Sequence, residues 1–269
     1  MPLGRGRRTR VYGVGAAKTG THSLGEMFGD RIRTAHEKDA ETLINLHLRR
    51  VATGRSGRLR AFLRWRDIRH RLDMDASQVN LYLIDDILAL WPDSRFVLTY
   101  RHPVYWLRSI IDDTLRRTTS PTWHRFRNHR FGLAIPAPAP EADLTTAGLY
   151  SLTGYLSYWT NSITKARQIP ESQVLMVRTE EIGPRAENIA EFCGFPNGEI
   201  TPGRSHSFAN DQRFGMLSKV PKAYLIELIQ EICGDPFAEL FPDRDLAADV
   251  TEILCQDTPQ EDQLQALSA

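Results

Sequence analysis

Val11-Tyr12-Gly13-Val14-Gly15-Ala16-Ala17-Lys18-Thr19-Gly20-Thr21-His22-Ser23-Leu24 reads as a short apolar strand that passes through small residues and one lysine into a helical pattern. Small residues let backbone N–H groups approach an anion, a helix start adds its positive dipole end, and Lys18 supplies a full charge. The stretch is therefore a phosphate cradle, and residue order decides which kind. An ATP- or GTP-binding loop places its lysine directly after the last glycine, whereas Lys18 precedes Gly20 by two residues. A dinucleotide fingerprint is excluded as well, because Lys18 stands where its third small residue belongs.

Working outward, strands and helices alternate through the first two hundred or so residues, the pattern of crossover units in an α/β fold with a parallel sheet. Helices are expected at Thr21–Asp30, Ala40–Val51, Val79–Trp91, from Pro103 onward, at Leu149–Arg167, Ala186–Cys193, Val220–Cys233 and Leu246–Cys255. Extended pieces are expected at Ile32–Ala35, Phe96–Tyr100 and Gln173–Val177. Pro121, Pro136, Pro138 and Pro140 predict an excursion with little regular structure over about 120–145. At 269 residues the chain is read as a single domain over 1–269, its C-terminal part helical from about 203 to 255.

A second anion site follows from the central strand. Arg101 ends Phe96-Val97-Leu98-Thr99-Tyr100, and Ser109 comes eight residues later on the helix opened by Pro103. Residues at the carboxyl ends of parallel strands face the ligand crevice, and an arginine with a neighbouring hydroxyl binds a phosphate. Lys18 and Arg101 together call for a nucleotide with a separate phosphate cluster at each end of its ribose.

On these residues the chain resembles the sulfotransferases that use 3′-phosphoadenosine 5′-phosphosulfate. Lys18-Thr19-Gly20-Thr21 with Ser23 is similar to the family's 5′-phosphosulfate loop, and Arg101 with Ser109 to its 3′-phosphate site. Gln173–Glu181, with the helix ending in Phe192-Cys193-Gly194-Phe195-Pro196, is similar to the family's late strand. The tyrosine that relatives often carry there is absent, because the chain reads Arg178-Thr179-Glu180-Glu181, and no K-T-H strand occurs. The resemblance implies a P-loop NTPase-like three-layer fold, a central parallel sheet flanked by helices. It also implies transfer of a sulfuryl group to a hydroxyl or amine, with the nucleotide as donor and no metal. Ala17, Lys18, Thr19, Gly20, Thr21, His22, Ser23, Arg101 and Ser109 would hold the donor, with Lys18 also stabilising the leaving oxygen. Glu37 lies shortly after the loop, as does the catalytic glutamate of the tyrosylprotein branch, and is the leading base; His36, with an ordinary pKa of about 6.5, is its rival.

Further candidates are Asp75 and Ser77, near the transferred group in relatives, Ser77 being equally readable as a helix cap before Val79. Arg204, His206, Arg213 and Lys219 stand where the resemblance implies a late basic loop that folds over the 3′-phosphate. Arg49–Arg71 holds nine arginines against one acid, Asp67, and reads as a basic amphipathic helix: a solvated face, or a surface for an acidic polymer or anionic membrane. Trp123 and Phe126, and the helical Tyr150, Tyr155, Tyr158 and Trp159, would line an acceptor pocket or, for the helical set, pack the core.

Composition limits the alternatives. With 41% hydrophobic and 25% charged residues the chain is an ordinary globular one, and a net charge of +1 gives no whole-molecule attraction for nucleic acid. No apolar run reaches the roughly 18 residues of a membrane span, and no apolar core of a signal peptide follows the basic N-terminus, so a cytoplasmic location is expected. Cys193, Cys233 and Cys255 are far apart and read as buried small hydrophobes. A kinase-like enzyme and a catalytically silent glycan-binding relative are the alternatives. Sugar, lipid, peptide and aromatic acceptors all stay open, as does the oligomeric state.

Overall fold

The computed structural model describes residues 7–133, 135–195, 197–201 and 213–257. Five strands, β1 (Val11–Val14), β2 (Thr34–His36), β3 (Met74–Ala76), β4 (Arg95–Tyr100) and β5 (Val174–Arg178), form one sheet in the order β2-β3-β1-β4-β5. Every pairing is parallel; Gly13 pairs with both Ala76 and Val97, and Val97 with Leu175. The chain leaves β1 toward β2 and β3, then crosses to β4 and β5. Connections therefore diverge at the carboxyl ends of β1 and β4, the position where open parallel sheets bind ligands.

The chain divides into two compact units, Met1–Arg101 with Ser162–Ala209, and His102–Asn161 with Asn210–Ala269. The first contains the whole sheet. On one face, Val11, Met74, Val97 and Val177 pack with Leu24, Met27 and Phe28 of α1 (Thr21–Glu26) and its following turn, and with Ile189, Ala190 and Cys193 of α9 (Ala186–Cys193). A side chain on Gly13 would come within 2.9 Å of Leu24 and 3.1 Å of Ala76, so the missing Cβ lets α1 lie against the sheet. Alternation turns Tyr12, Asp75 and Phe96 to the opposite face, where Tyr12 stacks on Phe96 and Arg66 of α3 (Gly57–His70) reaches Asp75. With α2 (Ala40–Thr53) and α4 (Ile84–Leu90), the expected layering of helices, sheet and helices is present in this unit.

The second unit is helical: α5 (Pro103–Arg116), α6 (Pro121–Phe131), α7 (Ala142–Thr146), most of α8 (Leu152–Ala166), α10 (Lys222–Leu240) and α11 (Leu246–Asp257). Tyr155, Tyr158 and Trp159 of α8 are buried and form core with Phe131, whereas Tyr150 precedes the helix and is half-buried.

Several expectations are corrected. Pro121 does not break structure but occupies the first turn of α6, whose start is capped by the Ser120 hydroxyl accepting from the Trp123 N–H. The helix expected over Val79–Trp91 is a tight 3₁₀ turn, Gln78–Tyr82, followed by the shorter α4. Arg49–Arg71 is two helices parted at Gly54 rather than one. Cys193 and Cys233 are buried, each thiol pushed up by burial to a pKa of about 12, but Cys255 is exposed.

Candidate active site

The loop after β1 is shaped by steric exclusion. Gly15 has φ 147°, and a Cβ there would sit 2.4 Å from the Thr99 carbonyl oxygen and 2.7 Å from the Thr19 hydroxyl. Gly20 has φ 97°, and its Cβ would lie 2.6 Å from Ile182. Between them Lys18 adopts a left-handed backbone, φ 68°, while Ala16, Ala17 and Thr19 are buried. The Thr19 hydroxyl donates to the Ala16 carbonyl at 2.7 Å, and the Thr99 hydroxyl lies 3.0 Å from it. Thr19 thus tightens the loop with its side chain and has only its backbone to offer an anion. The helix that follows, α1, has six residues rather than the ten expected, and Thr21 is buried while His22 and Ser23 are half-buried. So short a helix adds little macrodipole, which leaves loop N–H groups and the Lys18 ammonium as the source of positive potential.

Lys18's loop and Arg101 lie at adjoining strand ends. Val14 pairs with Leu98, so the loop leaves β1 beside the end of β4, one residue before Arg101. The Thr179 hydroxyl, just past the end of β5, lies 2.7 Å from the Thr19 carbonyl oxygen and 3.0 Å from that of Tyr100. Its one proton serves either carbonyl in turn, joining the cradle, the end of β4 and the turn after β5. Tyr100 pairs with Arg178; burial raises the pKa of the Tyr100 phenol, and the Arg178 guanidinium opposes that rise. Thr99, Thr179 and Arg178 join this strand-end cluster although the sequence assigns them no role. The usable signal was their place, polar residues at the carboxyl end of an apolar strand, the same signal that singled out Arg101.

His36 ends β2 and its ring meets that of His22, in the first turn of α1, edge to face, centroids 4.7 Å apart. Glu37 extends the ladder by one bond, its N–H donating to the Ala76 carbonyl at 3.1 Å. Its backbone then turns left-handed, φ 52°, and its carboxylate accepts from Gln78 Nε2 at 2.6 Å. Among the described residues four non-glycine positions have such a backbone, Lys18, Glu37, Asp39 and Arg71, and two of them are the leading chemical candidates. Each such residue costs about 1–3 kcal/mol, and strain of this kind collects at working sites.

Other candidates are held by the framework. Asp75 is buried in β3 and ion-paired with Arg66, whose guanidinium also donates to the Lys38 carbonyl at 2.8 Å. Burial works against the Arg66 charge, but the Asp75 carboxylate outweighs it and holds the Arg66 pKa above its ordinary value. The Ser77 hydroxyl accepts from the Val79 N–H at 3.1 Å, capping the 3₁₀ turn. Ser109 is half-buried on α5, in the second unit. In the same unit Arg213 is exposed, 3.6 Å from Asp112, and Lys219 is exposed at the end of a 3₁₀ turn, Leu217–Lys219. Arg204 and His206 lie outside the described residues.

The chain is similar in structure to a sulfotransferase from Alicyclobacillus acidocaldarius, at 16% identity over 90% of this chain and 98% of that one, TM-score 0.48. It is also similar to the sulfotransferase domain of the Synechococcus PCC 7002 olefin synthase, at 13% identity over 78% and 83% of the two chains, TM-score 0.41. No known family profile matches the chain, and no curated protein matches it in sequence.

Proposed function

We propose that this chain is a sulfotransferase with 3′-phosphoadenosine 5′-phosphosulfate as donor. The reading is carried by one observation: a lysine-bearing loop too tight for a Cβ at Gly15, and left-handed at Gly20, adjoins, through Thr179, the strand end from which Arg101 emerges. Lys18 and the loop N–H groups would hold the 5′-phosphosulfate, and Arg101 the 3′-phosphate.

In the reaction an acceptor oxygen forms a bond to sulfur while the bond from sulfur to the donor's phosphate oxygen breaks in line. The acceptor proton goes to Glu37, and adenosine 3′,5′-bisphosphate leaves with its new negative charge beside Lys18. Positive groups already in place lower the barrier because they need no rearrangement as charge develops. The Gln78 amide, donating to Glu37 Oε1, orients the carboxylate. His36, against His22, is the second group able to take the proton. Hydroxyl acceptors of sugars, lipids, peptides or aromatic compounds are all compatible with this chemistry.

The test is calorimetry with adenosine 3′,5′-bisphosphate and with ATP, each with and without Mg²⁺. Micromolar bisphosphate binding that ignores Mg²⁺ is the expected result. An Mg²⁺-dependent preference for ATP would replace the proposal with a kinase-like reading, and no nucleotide binding would leave a silent relative. Lys18→Ala is expected to lower turnover by about 10²–10³, the loss typical of removing one oxyanion donor.

A further inference from the structure

The basic segment has no part in that chemistry, and the structure sorts seven of its nine arginines. Arg50 and Arg60 pair with buried Asp86, and Arg66 pairs with Asp75. On α3 the buried Leu59, Leu63 and Arg66 mark the inner side. At 3.6 residues per turn the opposite side carries Ala61, Trp65 and Ile68 at helical spacing. Trp65 is 49% and Ile68 71% exposed, large apolar side chains left in water. Arg64 flanks this strip along one edge, Arg58 and Arg69 along the other, and Arg71 follows the helix's last residue, all four exposed. None of the four is within 4 Å of a carboxylate among the described residues, and Asp67, the acid of this helix, is taken by Arg7 and Arg10. The Arg69 guanidinium lies over the Trp65 ring, 5.6 Å from its centroid.

We propose that the outer face of α3 docks on an anionic lipid bilayer, the helix lying in the plane of the interface. An acidic polymer would use the arginines alone and gain nothing from Ile68. An interface takes up Trp65 and Ile68 among headgroups and acyl chains while the arginine stems reach outward, their charges among lipid phosphates. Charge complementarity selects anionic over zwitterionic lipid. This surface is separate from the proposed donor site, so the two readings stand or fall independently.

The full chain is sedimented with phosphatidylcholine vesicles made with and without phosphatidylglycerol. Expected are binding that needs the anionic lipid, weakening between about 0.1 and about 1 M salt as screening tightens, and a loss of about fivefold per arginine removed in Arg64→Gln and Arg71→Gln. The pair Trp65→Ser with Ile68→Ser, both solvent-facing and expected to unfold at the parent's temperature, is expected to abolish sedimentation. Retention of full binding by that pair while the arginine variants lose it would identify a plain polyanion contact and overturn the proposal. Equal binding to pure phosphatidylcholine, or none to either vesicle, would overturn it too.

Discussion

At the scale of single residues, a buried charge and its partner explain both a missed strand and a sharp stability test. Met74-Asp75-Ala76 does not read as a central strand because Asp75 should not be inside, yet Arg66 neutralises it from a helix on one face of the sheet. Arg66→Leu leaves that carboxylate buried without its guanidinium and is expected to cost about 3–5 kcal/mol, measured by urea unfolding. The reverse variant, Asp75→Asn, leaves Arg66 beside Asp39 at 3.3 Å and is expected to cost less. Glu37 poses a chemical question instead. Glu37→Gln keeps the shape and removes the base, so turnover is expected to fall by about 10²–10⁴ while calorimetric affinity for the bisphosphate is unchanged. Normal turnover in that variant would move the role to His36.

Among elements, the loop between β1 and α1 shows how a glycine pattern becomes a shape. Gly15→Ala forces a Cβ against the Thr99 carbonyl at a backbone angle that side chains rarely adopt. Backbone strain of about 1–3 kcal/mol and a comparable overpacking cost are expected to lower the melting temperature, and bisphosphate affinity is expected to fall with it. Gly148→Ala is the control, since φ there is also positive, 75°, but no neighbour lies within 4 Å of the added carbon. The proline-rich stretch teaches the converse lesson about elements. Proline at a helix interior and proline at its first turn are the same letter with opposite meaning, and only the capping by Ser120 tells which one Pro121 is.

For the molecule as a whole, balanced charge leaves stability against acid to a few placed carboxylates. Burial alone would raise the pKa of Asp73, but hydrogen bonds from the Arg33 side chain and from the Arg8 and Arg33 N–H groups hold it below the usual carboxylate range. Asp67 is likewise held low by Arg10 and Arg7 against its own burial. A depressed folded pKa stabilises above the unfolded value of about 3.9 and is lost as pH falls through the folded one. Asp257 works in the other direction: burial raises it despite Arg108, so protonation relieves a cost. The melting temperature is therefore expected to fall below about pH 4, and Asp73→Asn to flatten that limb in a thermal pH series.

The sequence alone determined the parallel α/β class, the tight glycine loop after β1, and Arg101 at a strand end, because these are written in short-range patterns: alternation, small residues, and a charge closing an apolar run. Tertiary structure decided what depends on partners distant along the chain. The Arg66–Asp75 pair made β3 possible, and Thr179 joined two strand ends from 160 residues beyond Thr19. Gly54 divided the basic segment so that one half of it could turn Trp65 and Ile68 to solvent. The identity of such partners is not written locally, since a side chain's neighbours across a sheet are chosen by the packing of whole elements.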